Sequence, residues 1–405
     1  MRYTIGEIAE IIDGDRGKHY PQQHEFSDRG YCLFLNTGNV TTNGFSFVAN
    51  QFISKEKCDL LRKGKLQRRD IVYTTRGTVG NAAFYSDTVP YEHIRINSGM
   101  VILRPNEDLV CTEYLYQVLK SEYFRPFFKS FCTGSAQPQL PIKNFSTIEL
   151  DFPDLPTQQR IASILSTYDD LIENNQKHIK LLEEAAQRLY KEWFVDLHFP
   201  GHETTPITDG IPEGWECCRL EEVIEFNPKV TLNKNRVKQS VPMSALSTTS
   251  MILDSDEFTT TLSNSGSKFQ NGDTLLARIT PCLENGKTAF VSGIESTEGA
   301  VGSTEYIVMR SNGLCPYMVY LLARTEAFRQ EAINSMTGSD GRQRAQVDKL
   351  KVLPYFKPTV QIIELFEKCV APLFAQIYTK NRQNTELKQG RDRLLPKLMN
   401  GEIEV

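Results

Sequence analysis

The sequence predicts an α+β protein with two globular α/β domains, two long helices that form an antiparallel coiled coil, and an internal pseudo-two-fold repeat. Three observations support this fold class. Similar segments recur in the same order in both halves of the 405-residue chain. Two long stretches carry apolar residues at alternating steps of three and four. A segment rich in Pro and Gly separates the two halves.

The repeat fixes the expected domain boundaries. We expect a first globular domain at 1–155, a long helix at 156–196, a linker at 197–212, a second globular domain at 213–357, and a second long helix with a tail at 358–405. A chain of this length exceeds the roughly 250–300 residues that one hydrophobic core usually supports.

The repeated segments lie about 203 positions apart, as Asp70 and Asp273 illustrate. YLYQVLKSEYF in the first half matches YMVYLLARTEAF in the second, and both have helical periodicity. TGSAQPQLPIKNF likewise matches TGSDGRQRAQVDKL. DIVYTTR and DTLLAR each predict a buried strand that delivers an arginine, Arg76 or Arg278, to the following loop. We therefore expect the two arginines to occupy equivalent places.

The two long stretches each predict one face of a coiled coil. Thr157 is a plausible N-cap for the first helix, which would be roughly 55 Å long at 1.5 Å per residue. Asn175 and Asn384 are polar residues on these seams, and they are expected either to fix the register or to face solvent on a wider stripe. Trp193 and Phe194 either pack on the linker or anchor a partner. The predicted coiled-coil and subunit-interface residues are Ile161, Leu165, Ile172, Asn175, Ile179, Leu182, Leu189, Trp193, Phe194, Phe366, Leu373, Ile377, Leu387 and Leu394.

Composition excludes several classes of protein. The chain contains no apolar run long enough for a membrane span, and its N-terminus lacks the pattern of a signal peptide, so we expect a cytoplasmic protein without membrane contact. The nine scattered cysteines are expected to be free thiols. A net charge of −4 argues against binding nucleic acid with the whole surface, but it allows local basic loops.

Motifs of catalysis are missing from the sequence. The chain has no Pro-Pro step of the kind an amino-methyltransferase loop requires, no Gly-rich cofactor turn and no phosphate-binding loop. The six His and nine Cys form no cluster with metal-ligand spacing. We therefore expect no catalytic residues, no metal and no cofactor in this chain.

Two segments resemble a known family. PTQQRIASILSTYDDLIENNQKHIKLLEEAAQRLYKEWFVDLHFPG is similar to the central conserved region of specificity (S) subunits of type I restriction-modification enzymes. QGRDRLLPKLMNGEIEV resembles their C-terminal conserved region. The most specific parts are QQRIASIL, KEWFVD and LLPKLMNGEI, and the repeat order extends the resemblance over the whole chain.

The resemblance implies that this chain supplies the DNA sequence specificity of a complex and has no catalytic activity of its own. Each globular domain would be a target recognition domain for one half of a bipartite sequence in double-stranded DNA, and the helices would set the unread spacer. Two modification subunits would dock beside the helices and carry S-adenosylmethionine and the adenine-N6 methyltransferase chemistry. Two restriction subunits, with ATP and Mg²⁺, could join them. Because the loops of the two domains differ, we expect an asymmetric target.

Basic and amide side chains in loops are the candidates for DNA contact. The predicted DNA-binding residues are Arg16, Lys18, Arg68, Arg69, Arg76, Gln137, Gln139, Lys143, Lys234, Arg236, Lys238, Arg278, Lys287, Arg342, Gln343 and Arg344. The alternative to DNA binding is that these residues are ordinary charged and polar groups on the solvated surface. Other functions left open are a specificity chain whose partner is a fused nuclease-methyltransferase, a two-headed protein-binding scaffold and, against the missing motifs, a self-sufficient methyltransferase or nuclease.

Overall fold

The structure is a computed structural model that describes residues 1–134, 138–339 and 341–405. The chain forms two compact units. Unit 1 comprises Met1–Ile172 with Thr385–Val405, and unit 2 comprises Glu173–Asn384. Each unit therefore contains one globular half of the sequence and parts of both long helices.

Unit 1 contains eleven named strands and five short helices within the described residues. The strands are β1 (Arg2–Thr4), β2 (Ala9–Asp13), β3 (Cys32–Leu35), β4 (Val40–Thr41), β5 (Gly44–Phe45), β6 (Phe52–Ile53), β7 (Ile71–Thr74), β8 (Ala82–Phe84), β9 (Ile94–Ile96), β10 (Met100–Pro105) and β11 (Glu149–Asp151). The helices are α1 (Ile5–Ile8), α2 (Lys55–Leu60), α3 (Thr112–Lys120), α4 (Arg125–Lys129) and α5 (Ile142–Ser146).

Two sheets and a helix build the core of unit 1. A four-stranded antiparallel sheet has the order β2-β10-β7-β8, and a second sheet has the order β6-β3-β9 with β3 and β9 parallel. Ile71, Tyr73 and Leu103 face α3, whereas Val72 and Ile102 face the second sheet. Because successive residues of a strand point to opposite faces, β7 and β10 are covered on both sides and read as continuous apolar runs.

Two long helices follow the globular parts of the chain. They are α6 (Leu155–Phe194) and, after the second globular part, the last helix of the chain (Val360–Met399). At 1.5 Å per residue each would be about 60 Å long. The N-cap prediction for Thr157 is wrong by one turn, because Asp154 Oδ1 accepts the N–H of Thr157 at 3.1 Å and the helix begins before it.

Unit 2 repeats the plan with its own strands and helices. The strands are β12 (Ile207–Thr208), β13 (Ile211–Pro212), β14 (Glu216–Arg219), β15 (Ile224–Phe226), β16 (Lys238–Val241), β17 (Thr259–Thr261), β18 (Ser267–Phe269), β19 (Thr274–Ala277), β20 (Thr288–Phe290), β21 (Ala300–Gly302), β22 (Tyr306–Ser311) and β23 (Pro354–Lys357). The helices are α7 (Leu220–Val223), α8 (Pro316–Arg324), α9 (Glu326–Asn334), α10 (Val347–Lys351) and α11, the long helix Val360–Met399.

The sheet order of unit 2 follows that of unit 1, with one strand more in the second sheet. Its antiparallel sheet is β15-β22-β19-β20, and the second sheet is β17-β16-β21-β18 with β16 and β21 parallel. Leu276 and Met309 face α8, whereas Leu275 and Val308 face the second sheet. The internal repeat predicted from the sequence is thus a repeat of sheet topology.

The long helices are antiparallel. In unit 1, Ile161 and Leu165 of α6 pack in one cluster with Leu395 and Leu398 of α11. In unit 2, Tyr190 and Trp193 near the end of α6 contact Phe366 near the start of α11. The apolar seam deviates from the predicted one at two places in α11, where Phe374 and Leu395 are buried and the predicted Leu373 and Leu394 are only partly buried.

The remaining predicted seam residues differ in burial, and in α6 the neighbouring Glu183 and Tyr190 are more buried than the predicted Leu182 and Leu189. Ile161, Leu165, Ile172, Ile179, Phe366 and Ile377 are buried, and Leu182, Leu189 and Leu387 are partly buried.

Polar residues on the seam pair with each other within unit 2. Asn175 and Asn384 are 9% and 6% exposed, and Asn175 Nδ2 donates to Asn384 Oδ1 at 3.0 Å. Lys380 Nζ also donates to Asn175 Oδ1 at 3.3 Å. The alternative that these asparagines face solvent is therefore wrong, and the pair is suited to fixing the register of the two helices.

Candidate nucleic-acid interface

A buried Asp–Arg pair anchors the same strand in both units. The Asp70 carboxylate accepts two hydrogen bonds from Arg104, both at 2.9 Å, and the N–H of Gln67 at 2.7 Å. Asp273 does the same with Arg310, at 2.7 Å twice, and with the N–H of Gln270. Since Asp70 and Asp273 play identical parts, they give a structural alignment of the two units.

That alignment corrects the predicted equivalence of Arg76 and Arg278. Thr75 O accepts the N–H of Leu140 at 2.9 Å, and Arg278 O accepts the N–H of Ala345 at 2.8 Å. Arg278 therefore corresponds to Thr75, while Arg76 corresponds to Ile279. The two arginines are one position apart because Arg76 lies six residues after Asp70, whereas Arg278 lies five after Asp273.

In unit 1 three predicted residues gather around the turn that precedes β10. Arg16 Nη2 donates to Ser98 O at 3.4 Å and also pairs with Asp13 at 3.1 Å. The N–H of Arg76 donates to Gly99 O at 3.1 Å, and Arg76 forms a β-bridge with Gln139. Among the described residues, the Arg76 guanidinium has no ion-pair partner, so its charge is available to a ligand.

Other predicted residues of unit 1 lie elsewhere. Arg68 donates to Ser86 O at 2.6 Å and stacks over the Tyr85 ring at 4.2 Å. Arg69 is held by Glu113 and Glu107, and hydrogen bonds to these carboxylates raise the pKa of Arg69. Both arginines precede β7, whereas Arg76 follows it. They therefore have structural partners away from the turn.

Two more predicted residues of unit 1 are exposed, and a third cannot be placed. Lys18 lies in the early loop and Lys143 lies on α5. Gln137 lies outside the described residues.

In unit 2 the turn that precedes β22 gathers a different set of groups. The N–H of Arg278 donates to Glu305 O at 3.0 Å. Arg344 pairs with the Glu305 carboxylate through Nη2 at 2.7 Å and Nε at 2.9 Å, and these hydrogen bonds lower the pKa of Glu305. Arg342 is exposed and Gln343 is partly buried, with Gln343 O accepting the N–H of Thr280.

The remaining predicted residues of unit 2 differ in their availability. Lys234 is exposed, and Arg236 pairs with Glu298 at 3.1 Å. Lys238 is only 5% exposed, and its ammonium donates to Leu262 O at 3.0 Å. Lys287 donates to Met243 O at 2.9 Å. The geometry thus weighs against a direct phosphate contact by Lys238.

The aromatic end of α6 is internal to unit 2. Trp193 is 7% exposed, and the Phe194 ring lies 4.8 Å from Phe366 and 6.1 Å from Trp215. Trp215 in turn contacts Phe199. These contacts support the intramolecular interpretation of Trp193 and Phe194 over an exposed anchor for a partner.

Lys229 and Lys268 were missed by the sequence reasoning. Both line a cleft of unit 2 together with Arg278. They lie in separate segments of the chain, and neither belongs to a basic run. Only the sheet topology, which brings β18 beside the chain that follows β15, could reveal them.

Comparison with known proteins agrees with this architecture. A family described as "Type I restriction modification DNA specificity domain" matches residues 1–184. The HindI specificity subunit of Haemophilus influenzae is 22% identical and covers 98% of this chain and 100% of its own length. The MjaIX specificity subunit of Methanocaldococcus jannaschii is 27% identical, covering 83% of this chain and 78% of that relative.

The chain is similar to the specificity (S) subunits of type I restriction-modification systems. The crystal structure of the S subunit from M. genitalium shares the fold, with a TM-score of 0.53 at 15% identity over 98% of this chain and 96% of that one. Within the described residues, no helix is both long and apolar enough to cross a membrane.

Proposed function

We propose that this chain is the non-catalytic specificity subunit of a type I restriction-modification enzyme. It reads an asymmetric bipartite target in double-stranded DNA, with one unit for each half-site. The observation that carries the proposal is that one sheet topology presents different chemistry at equivalent positions. Thr75 and Arg278 correspond, as do Gly99 and Glu305, which accept the equivalent backbone hydrogen bond. Base edges are distinguished by the pattern of donors and acceptors that face them, so two units with different loops read different sequences.

The candidate contacts fall into two groups. Arg16, Arg76 and Gln139 surround one turn of unit 1, and Arg76 is the strongest candidate there because its side chain has no carboxylate partner among the described residues. Arg278, Arg342 and Gln343 are the corresponding candidates of unit 2. Arg68, Arg69, Lys238 and Lys287 hold their own unit together through hydrogen bonds, which makes them supporting residues.

The long helices have two proposed roles. Their 40-residue lengths set the unread spacer between the half-sites, and they offer the surface on which two modification subunits dock. S-adenosylmethionine belongs to those subunits in this proposal, and ATP with Mg²⁺ to restriction subunits where present. The complex would act in the cytoplasm, where its DNA target lies.

Deletion of the gene tests the proposed function. Single-molecule sequencing of host DNA, with and without the gene, should show loss of adenine methylation at one motif with two different halves. Restoring the gene should restore the mark, and a copy carrying Arg76→Ala should restore it with relaxed preference in one half only. If the methylation pattern were unchanged and the purified chain, with its modification subunits, bound no duplex, a protein-binding scaffold would become the better account.

A further inference from the structure

A cleft in unit 2 has three cationic side chains in its walls. It has a volume of about 340 Å³ and lies beside the start of β22, between β18 and the chain that follows β15. These side chains belong to Lys229, Lys268 and Arg278, and among the described residues no Asp or Glu lines the cleft. A concave site with one sign of charge concentrates ions of the opposite sign.

The walls of this cleft are held in place by the backbone. Asn227 has a φ of 51°, and it is fixed to β22 because its N–H donates to Val308 O at 2.7 Å and its Oδ1 accepts the N–H of Val308 at 3.0 Å. This left-handed residue redirects the chain after β15 and places Lys229 at the cleft. On the other wall, Gly266 has a φ of +100°, and a Cβ there would lie 2.0 Å from Gly302 O.

The cationic groups at the cleft have hydrogen-bond donors that are not used within the described part of the chain. Arg278 Nη2 donates to Ala345 O at 3.2 Å, but Arg278 Nε is buried and has no acceptor among the described residues. Within the described part of the chain, neither Lys229 nor Lys268 makes a side-chain hydrogen bond or an ion pair. The nearby carboxylate of Glu305 is occupied by Arg344. A buried donor without an acceptor is uncommon in folded proteins, and such a donor is satisfied by water or by a ligand.

We infer that this cleft binds a backbone phosphate of the second half-site, with Lys229 and Lys268 as positioning residues and Arg278 as a third donor. The inference rests on the proposed function and deepens it. Lysines bind phosphate as point charges and carry no base information, so they would set the position of unit 2 on the duplex. The residue of unit 1 equivalent to Arg278 is Thr75, so we expect this phosphate contact in only one half of the target.

The test uses the full chain assembled with its modification subunits and a fluorescein-labelled duplex of arbitrary sequence. Affinity is measured by anisotropy over a series of salt concentrations. Each phosphate contact adds nearly one to the slope of log Kobs against log salt. The combined Lys229→Gln and Lys268→Gln variant should therefore lower the magnitude of that slope by about two, and affinity should fall on every duplex alike.

Arg219→Gln is the matched control. Arg219 lies in the same unit, is exposed, and precedes α7 and β15, whereas the cleft begins after β15. Its slope should equal that of the unaltered complex. Arg278→Gln provides a second variant and should lower the slope by about one.

The outcomes separate the two proposals. If the unaltered complex binds duplex and the double variant keeps its slope, the cleft proposal is overturned and the proposed function stands. If the unaltered complex binds no duplex, both are overturned. A selective loss of slope in the cleft variants, with Arg219→Gln unchanged, supports the phosphate site.

Discussion

Removal of the Asn175 amide should destabilise the helix pair much more than removal of an exposed amide on the same helix. Asn175→Ala deletes the 3.0 Å hydrogen bond to Asn384 and leaves the buried Asn384 carbonyl without that donor. It also removes the acceptor of Lys380. A buried polar group left unsatisfied costs about 1–3 kcal/mol, so we expect a loss of about 2 kcal/mol in the free energy of unfolding.

Asn174→Ala is the matched control for this experiment. Asn174 is exposed on the same turn of α6, and its replacement should change stability by less than about 0.5 kcal/mol. Both variants gain the same intrinsic helix propensity, which cancels in the comparison. Urea unfolding followed by far-UV circular dichroism, compared at unchanged m, measures the difference.

A double replacement separates stability from register. Asn175→Leu combined with Asn384→Leu should be as stable as the unaltered chain or more so, because both polar groups are removed together. The reasoning would be refuted if Asn175→Ala cost no more than Asn174→Ala, or if the double variant were less stable than the single Asn175→Ala variant.

Three further predictions concern buried charges and close packing. Arg104→Ala should cost about 3 kcal/mol because it strands the buried Asp70 carboxylate, whereas Arg2→Ala, which breaks an exposed pair with Glu149, should cost less than about 1 kcal/mol in the same urea assay. Burial acts to raise the pKa of Asp169, but Lys120, Gln117 and Arg391 hold it below its ordinary value. The ionised Asp169 carboxylate therefore stabilises the fold at a pH above its unfolded pKa near 3.8, and this stabilisation is lost as the pH falls through the lower folded pKa. The free energy of unfolding of Asp169→Asn should therefore fall less steeply at acid pH than that of the unaltered chain. Gly266→Ala should cost about 1–3 kcal/mol more than Gly272→Ala, since both have positive φ but only Gly266 would drive a Cβ into backbone, and equal melting temperatures would contradict this.

The sequence was informative where a pattern is periodic or repeated. Ile161, Leu165 and Ile377 lie on the helix seam because a three-four spacing leaves little choice of face. The seam shifts to Phe374 and Leu395 because ideal helices drift relative to a strict heptad, and the larger or better placed neighbour is then buried. The repeat could also be predicted from the sequence, since the segments that form the strands and helix of each core recur in the same order.

Contacts between residues distant in sequence could not be predicted from the sequence. Nothing local shows that Arg69 is held by Glu107 and Glu113, or that Lys238 points its ammonium at Leu262 O. Arg76 and Arg278 looked equivalent because both end an apolar run, and only the anchoring of Asp70 and Asp273 reveals the shift of one residue.

The central claim is that each unit reads its own half of one target. The most direct measurement is the adenine methylome of hosts that carry the unaltered gene, the Arg76→Ala variant or the Arg342→Ala variant. We predict one asymmetric bipartite motif for the unaltered gene, with preference relaxed in one half by the first variant and in the other half by the second. A variant that relaxed both halves together, or two variants that relaxed the same half, would contradict the account.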